Sequence, residues 1–572
     1  MEKWFVMRKG APFQEIADKF HIHPILARLI RNRDVIGDES IERYLNGTIT
    51  DLYDGILMKD MDKAVDILTE KLQERKKIRI IGDYDIDGVN ATYILKEGLE
   101  ALGGDIDIAI PDRVKDGYGL NRTLIQCAFE EGIDTIITCD NGIAAMEEIS
   151  YGKSLGMTII VTDHHEIPYE EGQNGIQYLI PPADAVIDPK REDCSYPFKG
   201  LCGAAVAYKL IEALFEVLGQ DPEDVDYLME NVAIATVGDV MDLVDENRIF
   251  VKQGLEMLKC TRNPGLRALM ECTQVNKDKL SAYHIGFVIG PCLNASGRLD
   301  TARRALDLLC AKGQKEADVL AGDLKSLNDS RKEMTVRAVE EAITTLEESG
   351  QKRDKVLVIF LPNCHESLAG IVAGRVRELY GKPTFVLTRT TEGVKGSGRS
   401  IDAYHMYEEL NKCKHLLVKF GGHKLAAGVS LQEEYVEEFR RALNGNTTLD
   451  EDDFIPRVSI DLQLPFVYLD EDFITQLNRL EPFGRGNTKP IFAEKDLTVE
   501  NVRILGKNQN VAKMQMKDIN GNVMDAVYFG DVQKFMSFLE AKQYTDLAIT
   551  YYPTLNEFHG NTKIEIVIQN YK

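Results

Sequence analysis

Ile78 to Gly88 reads IRIIGDYDIDG, an apolar run followed by alternate aspartates (Asp83, Asp85, Asp87) and a glycine that opens a helix-like stretch. An Ile-rich run of this length bounded by a turn reads as a buried strand, and ATYILKEGLEALG behind it (91–103) as a helix. The pattern recurs. DIDIAI (105–110), DTIITC (134–139) and MTIIVT (157–162) are further short Ile/Thr runs separated by helix-like segments. Strands alternating with helices predict a doubly wound parallel sheet, in which strand ends face the crevice where such folds bind ligands. A helical stretch from about Gly200 to Met241 closes this domain, placed at 77–260.

Outward from it, residues 1–76 read as a helical entry segment (HPILARLIRNR, SIERYLNG, MDKAVDILTEKLQERK) and 261–350 as a helical connector. The part from about Thr301 to Gly350 has no proline and predicts a long helix, with Gly313 or Gly322 as points for a kink. KVLVIF and TFVLT flank a helix-like SLAGIVAGRVRELYG and predict a smaller α/β domain over 351–446. The polar, acidic NGNTTLDEDDF is a linker. Alternating segments from VSIDLQL to TKIEIVIQ then predict a small β barrel or sandwich over 454–572. The fold class is therefore α/β with a C-terminal β domain.

Length and composition bound the function. With 572 residues, 44% hydrophobic and 28% charged, the chain suits several independent cores and excludes disordered or fibrous classes. The opening MEKWFVMRKG lacks the apolar core of a secretion signal and no stretch approaches bilayer-spanning length, so a cytoplasmic address and no membrane partner are expected. The ten cysteines show no C-x-x-C pair, which signals neither a structural zinc site nor a disulfide framework, and most should be buried thiols. A net charge of −24 argues against a surface uniformly attractive to polyanions. Between Arg375 and Lys424, however, ten Lys or Arg stand against five Asp or Glu, so a polyanion track is expected there.

The chemistry sits at the strand ends. D-x-D-x-D-G begins calcium loops too, but here the flank is a strand and no Glu follows at position twelve. Asp140 ends the next run in TIITCDNG; Asp163, His164 and His165 end the following one in MTIIVTDHHE; Asp239 follows the apolar NVAIATVG. Burying unpaired charges at consecutive strand ends costs several kcal/mol each, a penalty that cations remove. Asp83, Asp85, Asp87, Asp140, Asp163, His164, His165 and Asp239 could hold two divalent ions, which suits hydrolysis at phosphorus. Imidazole among carboxylates tilts the choice from magnesium toward manganese. Asp83 and Asp163, first in their motifs, are as suited to orienting a ligand as to direct coordination.

The order DYDIDG, CDNG, DHH and GDVMDL resembles the DHH phosphoesterase superfamily. PDRVKDGYGLN (111–121), PCLNASGRLDTA (291–302), HESLAGIVAGR (365–375), KGSGRS (395–400), FGGHKLAAG (420–428) and EPFGRGN (481–487) narrow the resemblance to the RecJ single-strand-specific DNA exonucleases. It runs through nearly the whole chain. The resemblance implies a DHH domain, a long helix, a DHH-associated domain and an OB-fold around a channel for one DNA strand. It implies degradation of single-stranded DNA from the 5′ end to mononucleotides, with Mn2+ or Mg2+, in recombination and repair, and a single-strand-binding protein or helicase as partner.

Carried over by motif, Asp85, Asp87, Asp140, His164 and Asp239 match the family's metal ligands, and His165 matches the histidine that touches the scissile phosphate. Ile86 stands where the family more often has a smaller residue. Candidates for strand phosphates are Arg113, Arg298, His365 and Arg399, together with Gly421, Gly422, His423 and Lys424, read as an anion-binding turn of the kind that precedes a helix. Phe483, Tyr528, Phe529 and Arg485 are nominees for base stacking and backbone contact in the OB barrel. Two rival classes are a DHH phosphodiesterase for short oligonucleotides or cyclic dinucleotides, and a non-enzymatic scaffold of this fold. The trailing barrel argues against the first and the filled ligand positions against the second.

Overall fold

The structure, a computed structural model, describes residues 2–113, 117, 119–172, 175–558 and 561–572. Val114–Asp116 and Tyr118 of PDRVKDGYGLN lie outside the described residues. The chain forms two units. One comprises Trp4–Gly290, Leu309–Gln314 and Val458–Lys572; the other comprises Met1–Lys3, Pro291–Leu308 and Lys315–Arg457.

The first unit opens with helices α1 (Phe13–Phe20), α2 (Pro24–Asn32), α3 (Asp38–Asn46) and α4 (Met61–Gln73). Ahead of them Lys3–Val6 is a short strand, which the helical reading of this segment does not anticipate. The sheet follows: β1 (Lys77–Gly82), α5 (Ile86–Ala101), β2 (Asp105–Ala109), α6 (Arg122–Glu130), β3 (Thr135–Cys139), α7 (Met146–Ser154), β4 (Thr158–Thr162) and β5 (Ala185–Ile187). The strands are all parallel in the order β2-β1-β3-β4-β5. Covered on both faces, β3 is buried throughout and β1 is buried after Lys77, which is why both read as continuous apolar runs. The order reverses between β1 and β3, and that switch point is where the aspartate motifs end. Helices α8 (Gly203–Val217), α9 (Met229–Gly238) and α10 (Asp245–Lys259) complete this layer. Ile86 is accommodated by two glycines: a Cβ on Gly238 or Gly290 would stand 2.6 or 3.1 Å from its side chain.

The helix-rich stretch breaks at 310–313, and α11 then runs unbroken from Gln314 to Glu348, all but its first residue in the second unit. Gly313 precedes the helix; Gly322 lies inside it. The α/β part follows as β6 (Leu357–Phe360), α12 (Ala369–Tyr380), β7 (Thr384–Thr390), β8 (Gly393–Arg399), β9 (Lys419–Gly422) and β10 (Ala426–Leu431). Its sheet is mixed, ordered β9-β10-β8-β7-β6, with only β6 and β7 parallel.

The C-terminal part of the first unit consists of β11 (Leu462–Gln463), β12 (Phe492–Leu505), β13 (Val511–Lys517), β14 (Val523–Phe529), β15 (Leu547–Phe558) and β16 (Asn561–Tyr571). The order is β11-β12-β13-β14-β16-β15, and β15 pairs back onto β12, so five strands close into a barrel with β14 and β16 parallel. Of the barrel and the sandwich left open by the sequence, it is the barrel that forms. Its core continues into the N-terminal helices: Leu26, Leu29, Ile30 and Tyr44 share one apolar cluster with Phe473, Phe492 and Tyr551. Five cysteines are buried, and the other five are at least partly accessible.

Arg248 on α10 ties this unit together. Only 2% exposed, it donates to the carbonyls of Tyr44 (2.8 Å), Leu480 (2.9 Å) and Arg479 (3.0 Å) and lies 4.0 Å over the Tyr44 ring. Burial pushes its guanidinium below its usual range, and three carbonyls at the ends of helical turns receive it. Arg248→Leu removes all three bonds, leaving Leu480 O its bond from Asn487 Nδ2 (2.7 Å), and is expected to lower the stability of this unit by about 3 kcal/mol. The shift of its urea unfolding midpoint measures this; an unshifted midpoint contradicts it.

Candidate metal centre

Each acidic motif is placed by the local physics of a strand end. Asp85 caps α5, its Oδ1 accepting from the amides of Asp87 (2.9 Å) and Gly88 (3.1 Å). Asp87, in the first turn and wholly buried, accepts from the first amides of another helix: Gly203 N to Oδ2 at 2.7 Å and Ala204 N to Oδ1 at 2.8 Å. The positive end of α8 therefore compensates part of its charge. Asp140 follows β3 at φ 60°. It packs so close to the start of α8 that a Cβ on Gly203 would lie 2.8 Å from its own Cβ.

Asp163 ends β4 and spends both oxygens on the chain. Its Oδ1 accepts from the amides of His164 (2.7 Å) and His165 (3.2 Å) and sits 2.7 Å from His165 Nδ1; its Oδ2 accepts from Ile143 N (2.9 Å). Burial works to raise its pKa, but the His165 hydrogen bond and charge win and hold it below the usual carboxylate range. The same pairing raises His165 to about 9 against the opposing effect of burial, so its ring is protonated at neutral pH. His164 goes the other way: burial, then the neighbouring His165 charge, push it down to about 4, leaving the neutral imidazole that binds metals.

The groups converge. His164 Nε2 lies 3.0 Å from Asp140 Oδ1, 3.4 Å from Asp87 Oδ2 and 3.9 Å from Asp239 Oδ2. Three overlapping sets of donor atoms each fall within 4.8 Å: Asp83, Asp85 and Asp140; Asp140, His164 and His165; Asp87, His164 and Asp239. Asp140 and His164 are each shared by two sets, so the sets adjoin as neighbouring cation positions would require. The donors fit divalent cations on three counts. Burial, compounded by neighbouring carboxylates, pushes Asp87 and Asp239 up to about 7 and Asp140 and Asp83 well above the carboxylate range, so the cluster resists ionising without added positive charge. Asp83 Oδ1 and His164 Nδ1 are buried without a hydrogen-bond partner among the described residues. Carboxylate oxygen with one neutral imidazole, that of His164, is a donor set for Mn2+ or Mg2+. Asp83 and Asp163, equivalent in the sequence, thus separate: the first keeps a buried oxygen open to the cluster, while the second is used up in holding His165.

The other candidates fall in two places. Arg113 lies over the Tyr84 ring (4.8 Å) and its charge reaches Asp83, at the rim of the cluster. In the second unit, Arg298, His365 and Arg399 gather around the start of α12. Arg298 Nη1 donates to Ser367 O (3.1 Å), His365 Nδ1 lies 2.7 Å from Ser367 Oγ, and a Cβ on Gly370 would stand 2.7 Å from Arg399 Nη2. Gly421, Gly422, His423 and Lys424 do not precede a helix. They form the end of β9 and the turn of a hairpin into β10, with His423 N bonded to Ala426 O (2.8 Å), because the alternating residues behind them pair with β8 instead of coiling. The turn is exposed and sits at the Arg399 end of that sheet. In the barrel, Phe483 packs against Tyr552 and Tyr528 against Phe535 and Tyr571, so both serve the core; Phe529, 61% exposed, is open to a base. Arg485 pairs with Asp242.

Two features beside the cluster escape the sequence reading. The α8 amides that receive Asp87 come from LCGAA, which carries no side-chain donor. Asp188, buried at the end of β5, has an Oδ2 without a partner among the described residues and is raised to about 8 by burial and the nearby Asp163. Its place after an apolar AVI run is a usable signal.

In the metal-free site Asp87 and Asp239 keep protons up to about pH 7, whereas the unfolded chain releases them near 4. Their contribution to stability is therefore full below about pH 4 and lost as pH rises to about 7. Divalent ions replace those protons, so Mn2+ should raise the melting temperature more at about pH 8 than at about pH 5.5. Thermal melts at the two pH values check this; equal shifts contradict it.

Three family models match the chain: the DHH family N-terminal domain over residues 77–236, the DHHA1 domain over 353–447 and the RecJ OB domain over 460–570. The single-stranded-DNA-specific exonuclease RecJ of Bacillus subtilis is 34% identical over 99% of this chain and 70% of its own length. The crystal structure of Thermus thermophilus RecJ in complex with Mn2+ superposes with a TM-score of 0.84 and 27% identity, covering all of this chain and 79% of that one. The Mg2+ complex of the same protein gives 0.76 and 25%, over 100% and 78%. The carboxylate and histidine cluster thus lies in a chain whose solved relatives hold the ions its donors suit, and the chain belongs to the RecJ family of single-stranded-DNA-specific exonucleases.

Proposed function

We propose that this chain removes mononucleotides from the 5′ end of single-stranded DNA by two-metal-ion hydrolysis, in DNA recombination and repair. The observation that carries the reading is the convergence of Asp85, Asp87, Asp140, His164 and Asp239 on shared donor positions at the ends of three parallel strands and of α9. These five residues hold two divalent ions, Mn2+ or Mg2+, with Asp83 as a further donor. When bound, the ions neutralise charge at phosphorus and acidify the attacking water. The chain does the rest. Asp163 fixes the His165 ring and keeps it protonated, so that it can donate to a phosphate oxygen as charge develops there. Arg113, Arg298, His365 and Arg399, with the backbone and side chains of Gly421–Lys424, hold the phosphates of the strand.

The acidic chain binds a polyanion because its cations are placed locally: the stretch from Arg375 to Lys424 carries a positive excess of five within a total of −24. Phe529 and the barrel surface receive bases of the unpaired strand. A single-strand-binding protein or a helicase as partner, and a cytoplasmic address, belong to the same proposal; among the described residues no helix is long and apolar enough to cross a membrane.

The test is a time course with Mn2+ on single strands labelled at the 5′ or the 3′ end, beside a duplex. The 5′ label should leave first, as a mononucleotide, with the duplex spared. Asp87→Asn and His164→Ala should each lower kcat by about 10³-fold or more while the far-UV circular dichroism stays unchanged. Turnover preserved in either variant, or preference for two- or three-nucleotide substrates over long strands, overturns the reading; the latter would favour a short-oligonucleotide phosphodiesterase.

A further inference from the structure

Asp239 is the member of the cluster that follows no strand. It ends α9, and the hydrogen bonds around it (Asp239 N to Ala235 O, 2.8 Å; Val240 N to Val237 O, 3.2 Å; Met241 N to Thr236 O, 3.0 Å) form the helix stop in which the residue after the cap turns left-handed. Glycine normally takes that place. Here it is Val240, at φ 59°. A β-branched residue held there is strained, and its side chain is 58% exposed, so packing of its own does not offset the strain. The surroundings must hold the turn.

EPFGRGN does so. Leu243 N donates to Arg485 O (2.8 Å), Arg485 Nη1 to Val240 O (3.3 Å), and Arg485 Nε pairs with Asp242 Oδ1 (2.9 Å). Gly486, at φ 73°, lies so close that a Cβ on it would stand 2.9 Å from Asp242 Cβ and 3.3 Å from its Cα. The segment is itself anchored through Asn487, whose Nδ2 donates to Leu480 O (2.7 Å) and Pro482 O (2.8 Å) and whose Oδ1 accepts from Arg33 Nε and Tyr44 OH (both 2.9 Å).

We infer that residues 484–487, at the entrance to the barrel, position Asp239 for metal binding by bracing the strained turn at Val240. The inference rests on the reading of Asp239 as a metal donor. It makes Arg485 and Gly486 positioning residues and removes Arg485 from the contacts to the strand. The ion pair is exposed (65% and 50%) and by itself contributes no more than about 1 kcal/mol. The backbone bond and the close approach of Gly486 do most of the bracing.

The test measures Mn2+ affinity of the full chain by electron paramagnetic resonance, with kcat and KM on a single strand and the melting temperature alongside. Gly486→Ala should weaken Mn2+ binding about tenfold and Arg485→Ala up to about fivefold. Arg485→Lys should recover most of the loss, and KM for the strand should stay at the wild-type value in all three. Wild-type Mn2+ affinity in folded Arg485→Ala and Gly486→Ala overturns the inference, as does a raised KM with intact metal affinity, which would return Arg485 to the strand. If Gly486→Ala does not fold, the Arg485 pair decides alone. Asp239→Asn separates the layers: undiminished Mn2+ affinity there defeats the donor assignment itself, whereas a loss there without any loss at 485 and 486 defeats only the brace.

Discussion

Asp87 is wholly buried, 3.4 Å from His164 Nε2 and beside other carboxylates. Holding it there is the constraint around which the first unit is arranged, because like charges in a poorly solvated crevice repel and each loses hydration worth several kcal/mol. The fold answers with backbone amides. The first turn of α8 receives Asp87, the first turn of α5 receives Asp85, and the β4 end receives Asp163. What amides cannot supply is net positive charge. Asp83, Asp140 and Asp239 have no helix start of their own, and it is on this remainder of uncompensated charge that divalent ions act.

The two histidines of the DHH motif show how one neighbour divides adjacent, identical side chains. His165 leans on Asp163 and becomes a cation; His164, deprived of that partner and pressed by the His165 charge, becomes a neutral donor. Asp163 therefore acts on the metal site through both histidines, fixing the His165 ring and accepting from the His164 amide. The second unit carries a different chemistry, with Arg298, His365 and Arg399 around one helix start and a basic hairpin at the end of the same sheet. These cationic side chains of the second unit and the carboxylate–histidine cluster of the first thus lie at the ends of separate sheets, where loops are free to vary.

Much of this is legible in the sequence because buried parallel strands announce themselves as unbroken Ile and Thr runs, and every polar residue that ends one must face the crevice. Asp85, Asp87, Asp140 and His164 are readable on that ground alone. Asp239 needs the added assumption that α9 packs beside the strand ends. What cannot be read are features made of backbone: the amides of Gly203 and Ala204, the closure of β15 onto β12, and the shared core of N-terminal helices and barrel, which joins Leu26 to Phe492 across the chain. FGGHKLAAG reads as a helix-preceding turn, wrongly, because glycines mark close approach without saying what approaches; the pairing of β10 with β8 decides it. Tyr528 and Phe483 show the same limit for aromatic residues, which look alike in a core and on a binding face until neighbours are known.

The account stands on paired cations held by these donors. Crystals grown with Mn2+ and measured at its absorption edge test it most directly. It predicts two anomalous peaks about 3.5–4 Å apart, enclosed by Asp85, Asp87, Asp140, His164 and Asp239, with Asp163 bonded to His165 and not to metal. A cluster without anomalous density, or peaks bound by other residues, would contradict it.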